Sequence, residues 1–265
     1  MGTVSKSQKL PSKIYPHEKP VPFVENFKWP GANNTITFTA DSFSRWVLES
    51  LPLIKGMKPM HYTKVRDKGM RVGDKFYFYL RSLPLFQMIS PFAFCTPRPT
   101  RSRLAVYRRT ISAFAAFDDV VNIPVLCDNL LHPWMSLTPN EIFTQRGQIR
   151  RAKGKTAMAG LGLGWAARKV LERKQVKSLT IYERDSAVIE TFGASLVADF
   201  GDRVTIEQAD AYLVDWQQYD VALWDIWKDY GDACDDRKFW GIKRAMESNG
   251  KVCEGWGQTV HSDHY

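Results

Sequence analysis

The sequence predicts an open, mostly parallel, doubly wound α/β sheet in its C-terminal half, preceded by a smaller β-rich N-terminal module. Three observations carry that expectation. From Gly154 onward, short apolar or β-branched runs alternate with segments whose apolar residues recur at helical spacing, the pattern of strands joined by helical crossovers. The first of these runs ends in the glycine corner GLGLG (160–164), directly before a helical segment. Before residue 135, by contrast, aromatic-rich alternating stretches are separated by turn signals. The expected divisions are a flexible tail over 1–30, the β-rich module over 31–134 and the α/β domain over 135–265.

Each element follows from local chemistry. The tail is rich in Pro and Lys and has no apolar run able to act as a secretion signal. Thr35 to Ala40 (TITFTA) alternates in strand fashion, and Asp41 opens a helix with Phe43, Trp46, Val47 and Leu51 at helical spacing. Lys68 and Gly69 mark a turn, and KFYFYLRS beyond Gly73 reads as strand. Residues 91–103, with three Pro and three Arg, read as a surface loop, and Arg103 to Phe117 regains β-like character. Thr138, three residues before Glu141, has the form of a capping box opening a helix. KTAMAG is then a strand, WAARKVLERK a helix, SLTIYE a strand and SAVIETFGASLVADFG a helix. RVTIEQAD and YDVALWD are strands, DDRKFWGIKRAMESNG a helix and KVCEGWG the last strand. Parallel strands with right-handed crossovers place a ligand at their carboxyl ends.

Composition narrows the classes. With 44% hydrophobic residues and 13% aromatics the chain can bury a core, and 25% charged residues argues against gross disorder. Leu83 to Cys95, the most apolar stretch, is broken by Pro84 and Pro91 and falls well short of the ~20 residues of a membrane helix, so no membrane segment is expected. Cys95, Cys127, Cys234 and Cys253 form no CxxC pair, which fits free thiols in a reducing cytoplasm better than disulfides or zinc. His261 and His264 stand at a metal-compatible offset, but in an end expected to fray, so no metal is expected. The net charge of +9 is uneven: residues 1–150 hold 21 Lys and Arg against 10 Asp and Glu, residues 201–265 hold 7 against 13. The basic half suits nucleic acid or another anion, or equally a solvated surface.

The residues expected to carry chemistry sit at strand ends. Gly160, Gly162 and Gly164 form the first corner, where the missing Cβ lets a ligand approach the backbone. Glu183 closes the second strand about twenty residues on, where a carboxylate can accept from both hydroxyls of a ribose. Asp210 and Ala211 end the third strand; the Asp can accept from an adenine amino group and the Ala leaves room for the ring. Gly162, Gly164 and Ala167 also satisfy the GxGxxA dinucleotide pattern, which keeps NAD open until Asp210 and Ala211 tip the balance. The loop after Trp224 holds Asp225, Asp229, Asp232, Asp235 and Asp236, an acidic rim able to attract a cationic amine. Asp225 can serve there as a base, Trp224, Trp227 and Tyr230 can shape the pocket, and Asp235 or Asp236 can cap the next helix.

These motifs resemble the class I S-adenosylmethionine-dependent methyltransferases, whose sheet is Rossmann-like, and within that group the chain is most similar to the spermidine synthase (aminopropyltransferase) branch. AGLGLGWAARKVL, IYERD, EQADAY and YDVALWD correspond to its first four motifs, within about Met135 to Gly257. The resemblance implies S-adenosylmethionine, or its decarboxylated form, as cofactor. Gln145 in SLTPNEIFTQ matches a glutamine that touches the cofactor, and Asp225 stands at the family's catalytic Asp. It further implies a cytoplasmic transferase (in the host cytoplasm if phage-encoded) that moves a methyl group to a small-molecule acceptor, an amine among the choices. Aminopropyl transfer to a polyamine is the alternative, with Asp229, Tyr230 and Trp227 on the substrate side, and such relatives commonly form homodimers. A third reading is a degenerate, non-catalytic version that binds nucleic acid or a protein partner. The sequence departs from the branch at Leu163, which replaces an acidic residue, and at WDIWKDYGDACDD, which replaces the Asp-Pro ending of the fourth motif. The sixth and seventh strands of the fold are expected to be absent or supplied by the N-terminal module. Neither an Asn/Asp-Pro-Pro-Tyr signature nor a Pro-Cys nucleophile is present, which removes the usual evidence for base methylation.

Overall fold

The structure, a computed structural model, describes residues 19–28, 35–83, 114–228 and 232–258. In the N-terminal part, β1 (Thr35–Phe38) leads into α1 (Ala40–Ser50). The cap lies two residues earlier than the sequence suggests: Thr39 is the extended N-cap, hydrogen-bonded through its hydroxyl to Ser42 at 2.6 Å, and Asp41 pairs instead with Arg45 one turn on. A short α2 (Val65–Lys68), β2 (Met70–Val72), β3 (Phe76–Leu83), β4 (Phe114–Phe117), β5 (Val121–Asp128) and β6 (Pro133–Ser136) complete this part. β2, β3, β5 and β6 form an antiparallel sheet in that order, so β6 crosses the expected division at 134/135 and carries Met135 and Ser136 on the N-terminal sheet; β1 pairs in parallel with β4.

The C-terminal part opens with α3 (Pro139–Arg151), where Thr138 Oγ1 accepts from the Glu141 N–H at 3.3 Å as a cap should. The reciprocal half of the box differs. Glu141 reaches past the cap residue to the backbone N–H of Ser136, at 3.0 and 3.1 Å, and to its hydroxyl. There follow β7 (Gly154–Ala159), α4 (Trp165–Leu171), β8 (Val176–Glu183), α5 (Ser186–Val188), α6 (Ala194–Phe200), β9 (Val204–Gln208), β10 (Val221–Trp224), α7 (Arg237–Ser248) and β11 (Val252–Gly255). All five strands are parallel in the order β11-β10-β7-β8-β9, with the connection reversing direction between β7 and β10. The edges are β11 and β9, and among the described residues no N-terminal strand pairs with either.

One expected helix is divided. Between α5 and α6 the chain makes a π-helical turn over Ile189–Gly193. A Cβ at Gly193 would come within 2.8 Å of Ile206 on β9, and the neighbouring Phe192 ring meets Phe78 of β3 edge-on at 5.3 Å. The break therefore serves close packing, on the sheet below and the N-terminal module above.

Successive residues of the central strands go to opposite cores, as a sheet covered on both faces requires. Met158, Val221 and Leu223 face a large cluster shared with the N-terminal module; Ala157, Ala159, Ala222 and Trp224 face a second one with Trp216, Phe239 and Met246. Residues 19–28, inside the expected tail, contribute Phe23 and Phe27 to the large cluster, each packed against Phe38 with ring centroids 5.1 and 5.0 Å away. No helix of the described residues is long and apolar enough to cross a membrane. Cys127 and Cys253 are buried free thiols, and Cys95 lies outside the described residues.

Candidate functional site

A cavity of about 250 Å³ opens at the carboxyl ends of β7, β8, β9 and β10. At its first corner the backbone takes positive φ at Gly160, Gly162 and Gly164 (91°, 53° and 78°), a conformation that favours glycine. Gly160 and Gly162 line the cavity, and a Cβ at Gly160 would overlap the Asp225 carbonyl oxygen. Gly164 does not line it; it is the N-cap of α4 and faces Leu196 and Phe192.

Glu183 ends β8 with its carboxylate across the corner. One oxygen accepts from the Leu161 N–H at 3.0 Å and the other from the Asp185 N–H at 2.9 Å, which leaves lone pairs on both for a ligand. Asp210 is exposed just beyond β9 and uses one oxygen to cap the turn at Tyr212 (2.9 Å), while Ala211 beside it is buried. Glu183, Asp210 and Ala211 all line the same cavity.

Its floor is acidic. Asp225, half-buried directly after β10, accepts from Gln145 Nε2 at 2.6 Å, and Gln145 is itself buried on α3. Burial pushes the Asp225 carboxyl up to about 7, against the lowering effect of the Gln145 hydrogen bond. Glu141, one turn before Gln145, also lines the cavity and is likewise pushed up to about 7 by burial, with the nearby Asp225 charge adding to the rise and the Ser136 hydrogen bonds opposing it. Sequence reasoning took Glu141 only as a helix-start signal; the TPNE pattern gives no hint that its carboxyl faces Asp225.

The remaining predicted residues divide. Trp227 lines the cavity and donates from its indole to Asp236 at 2.9 Å. Trp224, expected to shape the pocket, instead lies wholly in the second core, 4.6 Å from the Trp216 ring, because β10 directs it to the opposite face from Leu223. Asp236 caps α7 through the Phe239 N–H at 3.0 Å and also binds the Tyr212 hydroxyl. These hydrogen bonds hold its carboxyl below the usual range although burial works the other way. Asp229 and Tyr230 lie outside the described residues, as do His261 and His264.

The N-terminal module supplies a wall that was not foreseen. Lys75 and Phe76 of the β2–β3 region, Leu126 of β5, and Trp134 and Met135 of β6 line the cavity opposite the strand ends. Lys75 bonds Asp185 at 3.0 Å, and Phe76 meets Trp134 edge-on with centroids 5.7 Å apart. These residues are distant in sequence from the nucleotide-type motifs, and no local signal marks them.

No family model matches the chain, and no curated protein does. Among solved structures the chain is similar to a dimethyladenosine transferase from Plasmodium falciparum, at 17% identity and TM-score 0.29 over 34% of this chain and 32% of that one. It is also similar to a candidate S-adenosyl-L-methionine-dependent methyltransferase from Methanococcus maripaludis (19%, TM-score 0.32, 43% and 54%). A third is the Trypanosoma brucei PRMT1 enzyme-prozyme heterotetrameric complex with AdoHcy (14%, TM-score 0.28, 46% and 37%). The matched regions span from 32% to 54% of those chains.

Proposed function

We propose that this protein is an S-adenosylmethionine-dependent methyltransferase. The observation that carries the reading is the convergence of Gly160, Glu183, Asp210 with Ala211, and Asp225 on one cavity at the point where the sheet order reverses. The donor and acceptor set fits a nucleoside. Glu183 retains lone pairs for two ribose hydroxyls, Asp210 retains an oxygen for an amino group, and Ala211 leaves room for a base. When bound, the sulfonium cofactor supplies an already activated methyl group, so the protein's task is mainly to position. Gln145 orients the Asp225 carboxylate. Asp225, with both protonation states populated near neutral pH, takes the proton that the acceptor nucleophile releases as its new bond to carbon forms.

Aminopropyl transfer is the second reading, favoured by the acidic floor that Glu141 and Asp225 make beside Gln145. Mass spectrometry of the purified protein for a co-purifying nucleoside, followed by calorimetry with S-adenosylmethionine, its decarboxylated form and NAD, tests both. Preference for S-adenosylmethionine supports the first reading and preference for the decarboxylated form the second. Binding of NAD alone overturns both.

A further inference from the structure

We propose that the N-terminal module is a working part of the nucleoside site and acts through Met135, a positioning residue whose thioether seats on the glycine corner at Gly162; the inference rests on the nucleoside reading above. A glycine in such a corner is ordinarily explained by a ligand's need to approach the backbone. Here the space belongs to the chain itself. A Cβ on Gly162 would overlap Met135 Sδ and stand 3.0 Å from its Cε. The next backbone amide, that of Leu163, donates to the same sulfur at 3.1 Å.

Met135 is held from behind as well. Its strand pairs with β5 at Leu126, another cavity residue, and its neighbour Ser136 is clamped by Glu141 through both N–H and hydroxyl. The position of the corner is thus set by contacts from a module that precedes it in sequence, and glycine at 162 serves this contact as well as the positive φ of 53° that the turn takes there. A thioether suits the role, being slim, polarisable and free of a hydrogen-bond donor that would need a partner.

The test is a pair of compensating substitutions in the full chain, read by calorimetry with S-adenosylhomocysteine and S-adenosylmethionine and by thermal unfolding. Gly162→Ala is expected to weaken nucleoside binding about tenfold or more, since the added methyl displaces Met135. Adding Met135→Ala removes the clash, and the double variant is expected to bind within about threefold of Met135→Ala alone. Met135→Leu, which keeps the bulk, is expected to bind within about threefold of the unaltered protein, and Met135→Ala about fivefold more weakly. If the double variant binds no better than Gly162→Ala, Gly162 answers to the ligand or to its own positive φ rather than to Met135, and the inference is wrong. Should Gly162→Ala fail to fold, unaltered affinity in Met135→Ala overturns it instead. Absence of nucleoside binding by the unaltered protein is a separate result, which removes the nucleoside reading and this inference together.

Discussion

Gln145 Nε2 donates to Asp225 Oδ2 at 2.6 Å, joining the middle of α3 to the end of β10 across eighty residues of sequence. The bond restrains the carboxylate at the cavity floor and partly offsets the rise that burial imposes on it. Asp225→Asn is expected to leave nucleoside affinity within about threefold while lowering the transfer rate by roughly 10²–10⁴, the usual worth of a general base. Calorimetry and single-turnover assays with the true acceptor check the two halves. Unchanged turnover removes Asp225 from the chemistry.

Gln145→Leu should move the rate profile in a defined direction. With the hydrogen bond gone, only the raising effect of burial remains, so the Asp225 carboxyl titrates above its present value of about 7. The acid limb of the pH–rate profile is expected to shift to higher pH, and the plateau to fall as the carboxylate loses the partner that orients it. A shift to lower pH contradicts the assignment.

Stability should also depend on pH through the same floor. Asp225 and Glu141 both titrate near 7 in the folded protein, above the ordinary carboxylate range. Between that range and about pH 7 the folded state therefore holds protons that the unfolded chain has released. Stability falls as pH rises across the window and levels off above it. Glu141→Gln with Asp225→Asn is expected to flatten this dependence, and to raise stability at pH 8 by on the order of 1–3 kcal/mol. Denaturant titrations at pH 5.5 and 8 provide the measurement.

Glu183 links the second strand to the glycine corner through the Leu161 N–H, besides facing the proposed ribose. Glu183→Ala removes both functions and leaves that amide without its acceptor, at a cost of about 1–3 kcal/mol. Nucleoside affinity is expected to drop by at least about tenfold. Glu183→Gln keeps an acceptor for Leu161 and should recover stability more than affinity.

Much of the α/β half was legible because its signals are local. The strand ends at Ala159, Glu183 and Trp224 fall within one residue of where residue type and spacing put them, Thr138 caps its helix, and of the two candidates Asp235 and Asp236 the second caps the last one. Asp225, Glu183, Asp210 and Ala211 reach one cavity because parallel topology alone aligns strand ends. What escaped depends on pairings that sequence spacing does not encode. Trp224 was misplaced by one step of strand alternation, the π turn at Ile189–Gly193 reflects packing on Ile206, and the wall of Phe76, Trp134 and Met135 depends on how two sheets meet.

The short segment at 19–28 has a practical consequence for anyone trimming the gene. Arg146 donates to the carbonyls of Phe27, at 2.7 Å, and Glu25, while the Glu25 carboxylate pairs with Lys169 at 3.0 Å. An expression clone begun at residue 30 would strip this belt from α3 and α4 and leave Phe38, Phe43 and Trp46 without the Phe23 ring that packs on each of them. Such a product should be sticky and poorly behaved. A clone begun at residue 19 keeps the belt in place.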